Sequence, residues 1–472
     1  MPKSQSVIGY LPDERPPIWK LLLYALQQVI VMFPATVAVA IITGFHISTT
    51  IFASGLATLG FILVTRGKIP LYYGSSFSYV AAIGSLMASD ALSGYTLNEK
   101  IAVAQFGIVM SGLVSIAAGL IVMRFGREAI EKVLPASVTG PIAMVIGLTL
   151  AANAINDAAS IAIDTAGKIS VSEAQVAMAT NMAWTISLIT LIATILFSIY
   201  LKGMAGQIPL LLGPIVGVIT TFIIQLTTGI NLFKVLPAEA NTGIFALPIF
   251  TLPKPTLMAV AAIMPIAIAT IPESTAHVFQ LDIYVNDLAK KKNSGKKYNI
   301  ADKLGLNLIG DGLGDMISGL IGGPAGTNYG ENISAMAITK VFAIPVLIGA
   351  SIIAMVIACF TPLVNAIYSL PTAVIGGLEI YLFGAIAAQG IAIMIDRKVD
   401  MFSAKNIAVI ATIMVIGIGG KYGFGGTGNI PFFGIQVPCV AGAAIFGILL
   451  NLVLSIGGKK VNATSEDVEI GG

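Results

Sequence analysis

The chain has 472 residues, 56% hydrophobic and only 10% charged, with a net charge of +3 and a mean hydropathy of +0.91. Ordinary soluble domains carry about 25% charged residues, so a water-soluble enzyme, a disordered chain and a nucleic-acid binder are excluded. A polytopic membrane protein remains, and 50 glycines suit helices packed closely in lipid.

A membrane span needs about 20 mostly apolar residues. Twelve runs qualify: roughly 20–43, 47–65, 101–123, 134–152, 180–201, 208–227, 256–280, 302–321, 342–361, 371–394, 404–420 and 436–456. The first follows a polar stretch with Pro12, Pro16 and Pro17 and has no small-residue cleavage site behind it, so it reads as a true span rather than a signal peptide. Two further stretches are too polar for ordinary spans and too apolar for loops. One runs from Ile69 through Tyr73-Gly74-Ser75-Ser76-Phe77-Ser78 to Ala88. The other runs from Gly322 through Thr327-Asn328-Tyr329-Gly330-Glu331-Asn332 to Ile338. Each reads as an extended piece leading into half a helix. The expected fold class is an all-α polytopic membrane protein of fourteen segments, the third and tenth broken.

Charge placement orients the segments. With the N-terminus inside, only Lys100, Lys168, Lys234, Lys254 and Lys421 of the 26 Lys and Arg fall outside. This follows the positive-inside rule and places both termini in the cytoplasm. Arg127 and the lysines at 290–297 then belong to solvated cytoplasmic loops. Cys359 and Cys439 sit in apolar runs and read as buried structural residues, not as a disulfide or a metal site.

The two broken stretches resemble each other. Tyr73–Ser78 matches Tyr329–Ser334 at an offset of 256, Leu134–Gly140 matches Leu370–Gly376 at 236, and Pro34–Thr36 matches Pro272–Ser274 at 238. Two halves of seven segments enter the membrane from opposite sides, which is the inverted repeat of many secondary transporters. Extended backbone inside a bilayer is tolerated only where protein or a water-filled cavity covers it. The two breaks should therefore meet, each aiming a half-helix N-terminus with free N–H groups at a small solute. Two empty re-entrant loops are the alternative.

Carboxylates inside spans cost roughly 2.5–3.5 kcal/mol each on insertion scales and are functional candidates by default. Glu273 and His277 lie four apart, on one helix face; they read as a proton-handling pair or a structural pair. Glu331 stands where the second break becomes helix, as a ligand group or a simple cap. Asp311 and Asp315 share a face of a Gly-rich span and read as ties between helices. Glu379 is alone in an apolar span, four residues before Phe383, as a second proton site or a cavity-lining group.

On these residues the chain resembles the nucleobase–ascorbate transporter family, with the bacterial uracil permeases as its nearest branch. The resemblance runs from about Pro16 to Ile456. It is carried by Gly67-Lys68-Ile69-Pro70 leading into Tyr73-Gly74-Ser75-Ser76-Phe77, by Pro272-Glu273 with His277, and by Thr327 to Asn332 continuing to Met336-Ala337-Ile338-Thr339-Lys340. Ser334 stands where the family signature has Gly, Gln28 where it often has His, and Glu379 where the uracil branch has a small or neutral residue.

The resemblance implies a proton-coupled nucleobase symporter of the cell membrane, most simply for uracil, with no cofactor or metal and working as a homodimer. It implies a core domain (20–123 and 256–361) and a gate domain (124–255 and 362–456) between cytoplasmic tails 1–19 and 457–472, the core sliding like an elevator. Glu273 and Glu331 become the nucleobase-binding carboxylates, and Glu273 with His277 the proton network. Phe77 and Gly330 offer backbone groups to the base, with Ser76 and Tyr329 beside them. Phe383, Glu379 and Gln28 fall at gate or cavity positions. The alternatives are xanthine or another nucleobase as substrate, and, from other classes, an anion transporter on the same inverted repeat or a membrane enzyme. Glu331 repels anions between the breaks, and two histidines with no Cys/His cluster leave an enzyme little chemistry.

Overall fold

The computed structural model describes residues 9–126, 128–161, 173–203, 205–236, 243–424, 428–432 and 435–456. The tails 1–8 and 457–472, Arg127 and Lys168 lie outside the described residues. The expected spans appear in order as helices. The first half holds α1 (Ile18–Thr43), α2 (Ile47–Val64), strand β1 (Tyr73–Ser75) leading into α3 (Val80–Met87), α4 (Leu97–Phe125), α5 (Ala136–Ala158), α6 (Val176–Tyr200) and α7 (Pro209–Thr228). The second holds α8 (Leu257–Lys291), α9 (Leu304–Ile321), strand β2 (Gly326–Asn328) leading into α10 (Gly330–Thr339), α11 (Ile344–Ala358), α12 (Thr372–Asp396) and α13 (Ala404–Gly423). A hairpin of β3 (Asn429–Phe432) and β4 (Ile435–Pro438) precedes α14 (Cys439–Ile456). Among the described residues, ten helices are long and apolar enough to cross a membrane.

Several boundaries differ from the apolar runs, two of them for a clear physical reason. Helix α8 continues past 280 to Lys291, because the added turns keep Leu281, Val285, Leu288 and Ala289 buried while their other face is polar. The run 342–361 ends as a helix at Ala358, and a separate short helix, Thr361–Tyr368, follows with Pro362 in its first turn.

Glycines let the helix backbones touch. A Cβ on Gly112 of α4 would lie 2.4 Å from the Gly312 carbonyl of α9, and a Cβ on Gly312 would lie 2.3 Å from the Gly112 carbonyl. Gly140 of α5 and Gly390 of α12 approach in the same reciprocal way. Only residues without a side chain allow such contact, the packing mode favoured in lipid.

The two extended pieces pair with each other. β1 and β2 run antiparallel, with Tyr73 opposite Asn328, Gly74 opposite Thr327 and Ser75 opposite Gly326. The strands begin at Tyr73 and Gly326 and the helical turns after them at Phe77 and Gly330. The structural correspondence therefore runs at 253, three residues from the sequence match at 256. Tyr73 and Tyr329 are not equivalent: Tyr73 packs on Gly314, whereas the Tyr329 ring packs on Gly74. The other two matches coincide with structure. Helices α5 and α12 both start one residue after a proline, Pro135 and Pro371, and Pro34 and Pro272 both lie inside helices.

Candidate functional site

The strand pair is held from behind by buried acids. Asp315 of α9 accepts from the Tyr73 hydroxyl at 2.5 Å and from the Gly326 N–H at 2.8 Å, which ties both strands to one carboxylate. Asp311 accepts from the Ser274 hydroxyl, whose oxygen in turn accepts from Asn307 Nδ2 at 2.6 Å and Asn328 Nδ2 at 3.2 Å. These hydrogen bonds fix α8, α9 and β2 relative to one another. Both aspartates thus tie elements together.

With the strands pinned, two helical N-termini converge. The Ser76 N–H donates to the Ala325 carbonyl and the Tyr329 N–H to the Tyr72 carbonyl, closing the pair at both ends. Beyond these bonds the chain turns helical at Phe77 on one side and Gly330 on the other. Ser76 caps the first turn by accepting from the Ser78 N–H at 3.3 Å. The second N-terminus is capped by no side chain of Tyr329, and Glu331 sits in its first turn.

A cavity of about 180 Å³ lies at this convergence, walled by Phe77, Ser78, Thr139, Glu273, Glu331 and Gln389 with apolar residues of α5 and α12. Glu273 and Glu331 face it together. A wider vestibule of about 610 Å³ shares Thr139, Pro272, Glu273, Gln389 and Ile393 with it, and extends to Arg397, Lys398 and Asp400. The site therefore opens toward the end of the molecule that carries the basic α12–α13 link.

The remaining expected residues occupy other places. His277 lies behind Gly330, where a Cβ would be 2.8 Å from its Nε2. The Tyr329 hydroxyl donates to the Ser75 carbonyl and bonds Thr36 Oγ1, both at 2.9 Å, so it braces β1 against α1. Gln28 accepts from Asn332 Nδ2 at 2.8 Å and ties α1 to α10. Phe383 presents its carbonyl to Gly147 at the α5–α12 contact. Glu379 is 1% exposed, on the part of α12 that packs against the end of α5. The α12 residues on the cavity are Leu382, Ala385, Ile386, Gln389 and Ile393. Sequence reasoning missed Ser78, Thr139 and Gln389, although a glutamine inside an apolar run is itself a signal.

Paired broken helices, two carboxylates and a one-sided vestibule inside a lipid-spanning bundle define a solute carrier. Residues 19–426 match the sequence profile of a permease family, Xan_ur_permease, and the chain belongs to it; this is the nucleobase–ascorbate transporter family. The chain is 35% identical to the uracil permease of Bacillus caldolyticus over 449 residues, 94% of each chain. It is 33% identical to the uracil permease of Bacillus subtilis (strain 168), over the whole of both. Among solved structures it resembles the overall structure of SLC26A9 with a TM-score of 0.61 at 13% identity, covering 93% of this chain and 64% of that longer one.

Proposed function

We propose that the protein is a proton-coupled uracil symporter, and the observation that carries this reading is Glu273 and Glu331 facing one small cavity between two helix N-termini. Uracil is a flat ring that alternates two N–H donors with two carbonyl acceptors. Carboxylates accept from the N–H groups, and the backbone N–H groups of Phe77 and Gly330, at the two helix starts, donate to the carbonyls. Two carboxylates facing a small, largely enclosed cavity repel each other, so a proton taken up with the base relieves both the repulsion and the burial cost. Proton uptake and base binding are coupled for this reason.

The packing supports a 7+7 inverted repeat. The α4–α9 contact through Gly112 and Gly312 has its repeat counterpart in α11–α2, where a Cβ on Gly55 would lie 2.6 Å from the Ser351 carbonyl. The contacts β1–β2 and α5–α12 exchange their own partners. In this reading α1–α4 with α8–α11 form a core that carries the broken elements, and α5–α7 with α12–α14 form a gate, held in a homodimer. The core slides along the gate with its charge neutralised. The basic end, with Arg397 and the described chain ends at 9 and 456, is cytoplasmic by the positive-inside rule, so the vestibule makes this the inward-open form.

The test is uptake of a radiolabelled nucleobase panel into proteoliposomes with and without a pH gradient. Uracil should accumulate only with protons moving down their gradient in the same direction. Accumulation of another base with no saturable uracil uptake overturns the substrate, and accumulation of uracil indifferent to pH overturns the coupling.

A further inference from the structure

Glu379 stands near the start of α12, at the end of the helix away from Arg397. Its side chain is buried, and among the described residues no N–H or O–H donor reaches either carboxyl oxygen. The polar group beside them is the carboxyl of Asp157, half-buried at the end of α5. Two acceptors thus face each other in a buried place. A buried carboxylate without a donor is costly, and two carboxylates so close cannot both be ionised.

The joint around the pair is tight. A Cβ on Gly376 would lie 2.2 Å from the Ala158 nitrogen and 2.5 Å from the Asp157 carbonyl carbon, and one on Gly377 would lie 2.3 Å from the Ser187 carbonyl oxygen of α6. The Ser187 hydroxyl reaches the Ala158 carbonyl at 2.8 Å and the Ala373 carbonyl at 2.7 Å, so it tacks the end of α5 to the start of α12. Gly376 and Glu379 are three residues apart on α12, so the carboxyl projects onto the same joint. The third charge here is Lys234, from the segment after α7. Its N–H donates to the Ser369 carbonyl at 3.1 Å, which holds that segment beside the start of α12. Helices α6 and α7 carry no charged residue, α5 carries none besides Asp157, and the next on α12 is Asp396 at its other end. The Tyr381 hydroxyl is engaged with Ser198 at 2.7 Å. None of Asp157, Lys234 and Glu379 lines the central cavity or the vestibule.

We propose that Asp157 and Glu379 form a proton-binding site of their own, one proton shared between the two carboxyls with Lys234 balancing the remaining charge, and that the occupied site locks α5 to α12. The proton turns the contact between two acceptors into a hydrogen bond. The lysine already supplies the positive charge, so a proton fits between the carboxyls and a metal ion does not. Loss of the proton sets two like charges side by side and pushes the helices apart. The lock bears on the solute path, because α5 brings Thr139 and Ile146 to the central cavity and α12 brings Leu382 and Gln389. The site is distinct from Glu273 and Glu331 and does not depend on which solute is carried.

The experiment compares the full-length protein with Glu379→Gln and Asp157→Asn in detergent, by infrared spectroscopy and thermal unfolding across pH. The difference spectrum between the unsubstituted protein and Glu379→Gln should show the carbonyl band of a protonated carboxyl at neutral pH, shifted in deuterated water and fading as pH rises. Asp157→Asn should lose the same band, because its amide N–H replaces the shared proton. The unfolding midpoint of the unsubstituted protein should fall by several degrees over the pH range in which the band fades, since the folded state holds a proton that the unfolded chain has released. Each amide variant should lose most of that fall. Lys234→Met should lower the midpoint of the unsubstituted protein and raise that of Asp157→Asn/Glu379→Gln, where the lysine has no counter-charge. A difference spectrum without the band, a band kept by Asp157→Asn, a fall in midpoint kept by both amide variants, or Lys234→Met acting alike in both backgrounds each overturns the proposal. Uracil uptake by the unsubstituted protein in proteoliposomes separates this claim from the transport reading. Uptake without the shared band removes the proton site and keeps the transporter; the shared band without uptake does the reverse.

Discussion

Gly330 and His277 are in backbone-to-ring contact: a Cβ on the glycine would lie 2.8 Å from the imidazole Nε2. The glycine opens α10 at the cavity, and the histidine sits one turn beyond Glu273 on α8. Their contact sets the spacing between the two carboxylate-bearing helices. Gly330→Ala should therefore weaken uracil binding about tenfold, through overpacking of roughly 1–3 kcal/mol. Adding His277→Ala to Gly330→Ala should recover part of the loss. A double-mutant cycle read by calorimetric titration measures it, and strictly additive losses would show that the contact is not the cause.

Glu331 faces the cavity from the first turn of α10. Glu331→Gln replaces an acceptor with a group that is half donor. One uracil N–H then meets the wrong partner in a buried site, at a cost of roughly 1–3 kcal/mol, about tenfold in affinity. Unchanged uracil affinity in the variant would reduce Glu331 to a helix-end charge.

Glu273 lines both the central cavity and the vestibule, so it is the carboxylate with a route to water in this form. Glu273→Gln removes a proton-binding group while keeping the shape. Uptake against a uracil gradient should disappear, and the steepness of uracil binding with pH should fall. Concentrative uptake by this variant, measured in proteoliposomes with an imposed pH gradient, would assign coupling to another residue.

The α4–α9 contact predicts a stability effect far from the site. Gly312→Ala drives a methyl to 2.3 Å from the Gly112 carbonyl, so the helices must separate. Expected is a destabilisation of roughly 1–3 kcal/mol, seen as a lower midpoint of thermal unfolding in detergent. Gly84→Ala, which would meet nothing within 4 Å, is the control.

Residues 9–14 form a strap at the basic end. Tyr10 exchanges backbone hydrogen bonds with Lys340 and Phe342, Lys292 holds Glu14 at 2.6 Å, and Asp13 meets both Lys296 and Tyr298. The hydrogen bond from Lys296 and then that from Tyr298 hold the Asp13 carboxyl below its usual range. A depressed carboxyl stabilises the docked strap above its ordinary titration range, and the stabilisation is lost as pH falls through the lowered value. Protection factors of the amides over residues 9–14, which allow for the intrinsic slowing of exchange in acid, should be high at neutral pH and fall in acid. Asp13→Asn should reduce this pH dependence while Lys292–Glu14 keeps the strap partly docked. Protection that does not change with pH in the unsubstituted protein would sink this account.

The tertiary structure decided which helix faces meet the cavity. Expectation put Phe383 and Glu379 at the gate or cavity; both lie on α12, whose residues on the cavity are Leu382, Ala385, Ile386, Gln389 and Ile393. An apolar helix in lipid carries almost no contrast between its faces, because lipid and protein interior are equally apolar. Neither the period nor the composition of 371–394 says which side meets the solute. The same holds for Tyr329 and Gln28, whose polar groups are used to join elements.

Other features were decided by the chain alone. The length of each apolar run set the order of the spans, since a bilayer demands it. The polar, glycine-bearing stretches at 69–80 and 322–332 declared two breaks, since such backbone survives in a membrane only against a partner or a cavity. Glu273 and Glu331 were exposed as site candidates by the cost of burying them. Only the tertiary structure decided that the two breaks are each other's partner, that their correspondence is three residues from the apparent sequence match, and which side of the bundle is open. The first two are relations between residues some 250 positions apart. Such relations depend on how glycine-lined helices dock and on which hydrogen bonds Asp311 and Asp315 complete, and local sequence carries neither.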